Sequence, residues 1–317
     1  MDRGFYAFGT MNFIRIDSPL PEKTQLEIID EMQSKCDALD DLLSAFKPES
    51  EIGKINANAG VIPVSISKTT FDLLKRSLYF SEVSKGAFDI TIRPAVELWN
   101  IGHKEQRVPE KMECKKIKKL VNYNLLILDE KNQTAFLKKK GQSIDLGGIA
   151  KGFAGDLIRS ELMNLGVKNA LINFGGTILT IGNKIDGTPW KVGIQNPTKE
   201  RGISVGTILL EHDVLVTSGV NERFFIQDGI RYHHILDPRT CEPSRSNVLS
   251  VTAAGGSGMD LDGITTALFV LGMEKGVALA NQLGLEALYL LETGEIIATK
   301  GFAEGKYRFE AKRPTDN

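Results

Sequence analysis

The second half of this 317-residue chain sets the strongest limit on its fold. From Asn124 onward, β-rich runs lie at Leu125–Leu128, Ala135–Leu137, Ala170–Phe174, Trp190–Ile194, Thr207–Glu211, Phe224–Ile226, Leu249–Ala253 and Leu288–Leu291. Helical segments interrupt them only at about Ala150–Leu165, Asp262–Leu271 and Glu274–Leu283. The strands come in clusters, whereas a doubly wound parallel sheet needs strict βα alternation. The expected class is α+β, with mixed, largely antiparallel sheets and packed helices. No Pro/Ser-rich linker divides the chain, so two lobes, where present, are tightly joined.

The first half reads differently. Gly4 to Ile16 alternates loosely and is expected to be one strand. Pro19 and Pro21 then introduce a helix from about Glu22 to Phe46. Its apolar residues Leu26, Ile29, Met32, Cys36, Leu39, Leu42 and Leu43 fall three or four apart and build one buried stripe. A second helix is expected from Lys68 to Val83, stopping at Gly86. The charged stretch Lys104–Lys119 reads as a solvated loop and helix face.

Charge and cysteine usage narrow the function. With 39 basic and 40 acidic residues, the chain lacks the basic excess of a nucleic-acid surface. Cys36, Cys114 and Cys241 are too sparse for a disulfide framework or a structural zinc site. No run approaches the ~18 consecutive apolar residues of a membrane span. The N-terminal residues show no export-signal pattern, so the chain as written is expected in the cytoplasm.

Four segments look unsuited to plain structure. In Ile144-Asp-Leu-Gly-Gly-Ile-Ala-Lys-Gly152, paired glycines lead into a helix start with a lysine. Glycines allow close backbone approach and a helix N-terminus attracts phosphate, although Asp145 also reads as a cap. Asn173-Phe-Gly-Gly176 ends a strand on a second glycine pair, which a tight turn also explains. Thr217-Ser-Gly-Val-Asn-Glu-Arg223 is followed by Tyr232-His-His-Ile-Leu-Asp-Pro-Arg-Thr240, which places two histidines near Asp237, Arg239 and Ser218. Adjacent strand residues face opposite sides, so only one of His233 and His234 can enter a given site. In Met259-Asp-Leu-Asp-Gly-Ile-Thr-Thr266, Asp262 and Thr266 share a helix face and offer hard oxygen ligands to Mg²⁺; Asp262 also reads as an N-terminal cap. Together the segments describe a pyrophosphate site.

These residues resemble the FAD:protein FMN transferase family (ApbE family) over almost the whole chain. Phe8-Gly-Thr10 stands where the family usually has Met-Gly-Thr. Leu43-Ser-Ala-Phe-Lys-Pro-Glu-Ser-Glu-Ile-Gly-Lys-Ile-Asn56 resembles its LSxYxxxSExxxxN element, and the stretch from Gly86 to Trp99 its GAFDxTxxPLxxLW. The DLGGIAKG, NFGG, SGxxER, HHILDPRT and DGITTALFVLG segments follow in register. Phe8 replaces methionine, Phe46 replaces tyrosine, and Cys241-Glu242 stands where the family usually has glycine and an aromatic residue.

The resemblance implies a single FMN-transferase domain over residues 1–317, with FAD and Mg²⁺ held between its lobes. Phe8, Phe46, Ala87, Phe88, Asp89, Asp145 and Lys151 would contact FAD. Asp262 and Thr266 would hold Mg²⁺ with the Gly148 carbonyl, and Thr265 stands where some members carry a further metal-reaching aspartate. His234 would act as the base and Asp237 as its orienter. The implied reaction transfers the FMN half of FAD to a threonine hydroxyl of an acceptor flavoprotein and releases AMP. An FAD pyrophosphatase and a non-catalytic FAD-binding protein are the alternatives; no GxGxxG follows a strand to support a redox flavoenzyme.

Overall fold

Eight antiparallel strands whose spatial order equals their chain order form the central sheet. They are β1 (Asp2–Ala7), β2 (Thr10–Ile16), β3 (Ala170–Phe174), β4 (Thr177–Ile181), β5 (Val214–Gly219), β6 (Val248–Ala254), β7 (Glu286–Leu291) and β8 (Ile296–Ala298). The computed structural model describes residues 1–312. Every strand pairing in it is antiparallel, as expected for the α+β class; Ile14 faces Ile172 across β2–β3, and Val216 faces Ala253 across β5–β6.

The single strand expected over Gly4–Ile16 is instead a hairpin. Phe8 and Gly9 form its two-residue turn with φ of 53° and 68°. Turns that match the strand twist need positive φ at both positions, which glycine adopts freely and a bulky residue does not. Gly9 was the one local signal, and Phe8 masked it.

Strands β4 and β5 escaped the sequence reading for a different reason. All five residues of β4 are buried, and Val214 and Val216 point into one core while Leu215 points into another. A strand covered on both faces shows no period-two alternation. Four long helices belong to the first core: α1 (Glu22–Leu43), α2 (Lys68–Val83), α3 (Ala150–Asn164) and α4 (Gly258–Gln282). A three-stranded sheet of Trp190–Gln195, Ser204–Leu210 and Glu310–Ala311 supplies the second. It packs Trp190, Ile194 and Ile208 against Leu215, Leu288 and Leu290.

Helix α4 joins the two helical segments expected after Asp262 and kinks between them at Gly272, where φ is 77° and ψ is 175°. It starts earlier than expected: Ser257 caps it by accepting the Asp260 N–H, so Asp262 lies inside the helix and is not its cap. By length and composition α4 could cross a membrane. Its residues Leu261, Ile264, Leu268 and Phe269 are fully buried in the protein, which makes it a core helix.

Two contacts fix the start of α4 beside α3. Asp156 of α3 accepts the N–H groups of Gly258 and Met259 at 2.8 and 2.9 Å, satisfying donors at the positive end of α4. Gly152 lets the helices meet, since a Cβ there would collide with the Gly258 carbonyl oxygen. Arg76 of α2 adds a bidentate pair to Asp260, with both bonds at 2.7 Å.

Candidate active site

The chemistry-bearing segments converge on one cleft of about 760 Å³. The β1–β2 turn brings Phe8 and Gly9. The segment after α1 brings Phe46, and the segment after α2 brings Ala87, Phe88 and Asp89. The turn before α3 supplies Asp145, Gly148 and Lys151, the end of β5 Ser218, and α4 Asp262 and Thr266; His234 completes the wall.

Two aromatic residues stand at the rim. Phe8 is partly buried and held at positive φ. Phe46 is 60% exposed, with the Arg93 guanidinium 4.5 Å from its ring centroid. A ring braced by a cation in this way keeps its orientation while staying open to a planar ligand.

The carboxylates below them are braced rather than free. Asp89 is buried and accepts from Thr91 N at 2.8 Å, Thr91 Oγ1 at 2.7 Å and Tyr123 N at 2.9 Å. Burial pushes its pKa up, against those hydrogen bonds. Asp145 Oδ1 accepts the Gly147 N–H at 2.8 Å, and Oδ2 faces Arg93 Nη1 at 3.8 Å. Asp145 therefore closes the glycine turn and does not cap α3, whose N-cap residue, Ile149, makes no side-chain hydrogen bond to the helix. Gly152 N of that turn donates instead to Asp262 Oδ2 at 2.9 Å.

Asp262 and Thr266 stand one helical turn apart on α4, both on the cleft. A methyl group at Gly148 would sit 3.3 Å from Thr266 Oγ1, so the turn backbone lies against that hydroxyl. Lys151 Nζ donates to Gly147 O at 2.7 Å and lies 3.3 and 3.4 Å from the two Asp262 oxygens. An ammonium thus already occupies this oxygen cluster, which marks it as a place for positive charge. Among the described residues no three His, Cys, Asp or Glu side chains form a metal cluster. One carboxylate, a hydroxyl and nearby carbonyls are the donor set of an ion that keeps water and phosphate ligands, and it fits Mg²⁺.

Thr265 does not belong to that set. It is fully buried and does not line the cleft; its Oγ1 accepts from Ser218 Oγ at 3.0 Å and donates to Asp262 O at 3.3 Å. Its hydroxyl is committed to these two partners inside the protein, whereas Thr266 lines the cleft. The expectation for Thr265 as a ligand is corrected.

His234 faces the cleft and His233 does not. His233 is buried, edge-on to Phe269, and its Nε2–H donates to Ser244 O at 3.0 Å. His234 Nδ1 lies 3.2 Å from Arg223 O. A carbonyl only accepts, so Nδ1 carries the proton and Nε2 is left as a bare acceptor. Burial, with the charges of His233 and Arg223 beside it, pushes the His234 pKa down to about 3.

The expected orienter, Asp237, is occupied elsewhere. Its Oδ1 accepts from Arg239 N at 2.9 Å and Arg239 Nε at 2.8 Å, and its Oδ2 from Arg239 Nη2 at 2.7 Å. It braces the turn at Cys241, a left-handed position with φ of 60°, and the Arg223 carbonyl orients His234 in its place. Arg223 went unassigned in sequence because its main chain, not its side chain, does this. Its guanidinium separately donates to Gly9 O at 2.9 Å.

The ApbE family model matches residues 8–289 of the chain. The chain belongs to the ApbE family. A protein from Klebsiella pneumoniae named FAD:protein FMN transferase is 37% identical over 259 residues, 81% of this chain and 80% of that protein. One of the same name from Treponema pallidum is 32% identical, covering 95% and 87%. The crystal structure of the ApbE protein from Thermotoga maritima superposes with a TM-score of 0.89 at 32% identity, over 96% of this chain and 99% of that one. The family fold thus accounts for 96% of the chain.

Proposed function

We propose that this chain splits FAD with the help of Mg²⁺, transfers the FMN half to a threonine hydroxyl of an acceptor flavoprotein, and releases AMP. Membership of the ApbE family makes it a flavin transferase. The observation that supports the detailed reaction is the convergence of Asp262, Thr266, Gly148, Lys151 and His234 on one cleft.

Asp262 and Thr266 would hold the ion, with the Gly148 carbonyl beside them. Bound there, Mg²⁺ would neutralise diphosphate oxygens and the charge that develops on the departing AMP. Lys151 supplies a further positive charge at the start of α3. Phe8 and Phe46 position the ring systems of FAD at the rim. His234 Nε2 takes the proton of the attacking threonine hydroxyl. The threonine Oγ–P bond forms, the P–O bond to AMP breaks, and AMP leaves with the electron pair. A neutral His234 is ready to accept that proton, and the anionic substrate beside it raises its basicity.

The test is mass spectrometry of an acceptor flavoprotein incubated with the chain, FAD and MgCl₂, beside an EDTA control. A Mg²⁺-dependent FMN adduct on a threonine, lost in Asp262→Ala, is the expected result. Free FMN and AMP without an adduct would replace threonine by water and make the chain a pyrophosphatase; FAD intact throughout would sink the catalytic reading.

A further inference from the structure

The Asp262 side chain is only 5% exposed, and a carboxylate so buried needs a counter-charge. Lys151 provides it, but its ammonium is held mainly by Gly147 O, at 2.7 Å, and only loosely by the carboxylate. Its contacts to the Asp262 oxygens are 3.3 and 3.4 Å, longer than the ~2.7–2.9 Å of a tight charge-assisted hydrogen bond. The bond from Gly152 N to Asp262 Oδ2, at 2.9 Å, does not involve the lysine side chain. Asp262 therefore stays anchored when the ammonium departs. Lys151 also has room to leave, because its flexible stem lines the cleft and its side chain is 19% exposed.

We propose that Lys151 is a tethered placeholder for the metal: it neutralises Asp262 in the free protein and is displaced toward the diphosphate when a divalent ion takes that carboxylate. This rests on the metal-dependent reading above. An ammonium and a dication repel each other strongly at this range inside a protein, so the two compete for Asp262. Competition makes metal and diphosphate binding reciprocal. An ion at Asp262 frees the lysine for phosphate, and phosphate that draws the lysine away opens Asp262 to the ion. The protein would then hold neither partner well until both are present.

Mn²⁺ serves as the metal probe, with bound ion counted by electron paramagnetic resonance on the full chain. Lys151→Met should bind Mn²⁺ about tenfold more tightly than wild type, and Asp262→Asn should not bind it. In EDTA, Asp262→Asn should bind ADP more tightly than wild type, and that gain should vanish in the Lys151→Met/Asp262→Asn double variant. Unchanged or weaker Mn²⁺ binding by Lys151→Met would overturn the placeholder role, as would an ADP gain that survives in the double variant. Mn²⁺ binding by wild type that does not need Asp262 would overturn the metal-dependent reading as well. If Lys151→Met does not fold, amine acylation of wild type read by peptide mass spectrometry decides. Lys151 labelling that rises with Mn²⁺ supports displacement, and labelling that stays constant refutes it.

Discussion

One carbonyl sets the orientation of the cleft histidine: Arg223 O accepts both the His234 main-chain N–H, at 3.0 Å, and the His234 Nδ1–H, at 3.2 Å. Orientation is thereby built into the backbone, and the same residue reaches with Nη2 to Gly9 O at the lip of the cleft. The His234 ring and the lip are parts of one tie.

His234→Gln should lower kcat by about 10²–10⁴-fold while leaving FAD affinity within a few-fold, because a base acts on the attacking hydroxyl and not on bound FAD. Single-turnover FMN transfer beside equilibrium FAD binding separates the two. An equal loss in both would reassign His234 to binding.

The neighbouring threonines should part company. Thr266→Val removes a cleft oxygen and should weaken Mg²⁺-dependent activity by at least about tenfold, recoverable in part at high Mg²⁺. Thr265→Val should leave the Mg²⁺ requirement unchanged and cost stability instead, about 1–3 kcal/mol for the broken buried pair with Ser218. Mg²⁺ titrations and thermal melts of both variants check this.

Phe8→Gly should act with opposite signs on fold and site. Glycine relieves the left-handed strain at φ 53°, so Tm should hold or rise, while the lost ring should raise the KM for FAD. A fall in both Tm and FAD affinity would mean that Phe8 serves mainly as core.

Acid should weaken the fold through both adjacent histidines. Burial is the main cause that pushes His233 down to about 4 and His234 down to about 3. The unfolded chain, with ordinary histidines near 6.5, binds more protons than the folded one below that pH. The stability is complete above about pH 6.5 and is lost as pH falls toward the folded values. His233→Gln, which keeps a donor for Ser244 O, should flatten the fall of Tm between pH 6.5 and 4. A slope unchanged in calorimetry would remove His233 from the acid limb.

Gly152→Ala should destabilise by about 1–3 kcal/mol or more, since its methyl would overlap the Gly258 carbonyl and crowd the Asp262 Cβ, neither of which can swing aside. Melting should drop by several degrees. Because Gly152 N holds Asp262, metal-dependent activity should fall further than stability alone explains.

The fold was legible where one face met water. The amphipathic stripe of α1 announces itself, and the expected Lys68–Val83 helix agrees with its observed ends. Central β4 and β5 were silent because neither has a polar face to alternate with. At the site, glycine pairs and the Asp262/Thr266 spacing marked the right segments, and the family resemblance ordered them. Two details lay beyond a sequence reading. Whether Thr265 or Thr266 faces the cleft depends on helix phase, and the Asp237 role depended on Arg239 lying within reach of its carboxylate.

The pairing of Ile16 with Ala170 carries a cost in time. The β1–β2 hairpin is complete early, yet its next neighbour in the sheet leaves the ribosome roughly 150 residues later, which is on the order of ten seconds or more of synthesis. Until then β2 keeps an unpaired edge, and the lip formed by Phe8 and Gly9 faces no opposite wall. Asp262 and Thr266 arrive later still, after β6. A nascent chain therefore has no finished cleft for FAD until the start of α4, with Asp262 and Thr266, has been made and packed in place.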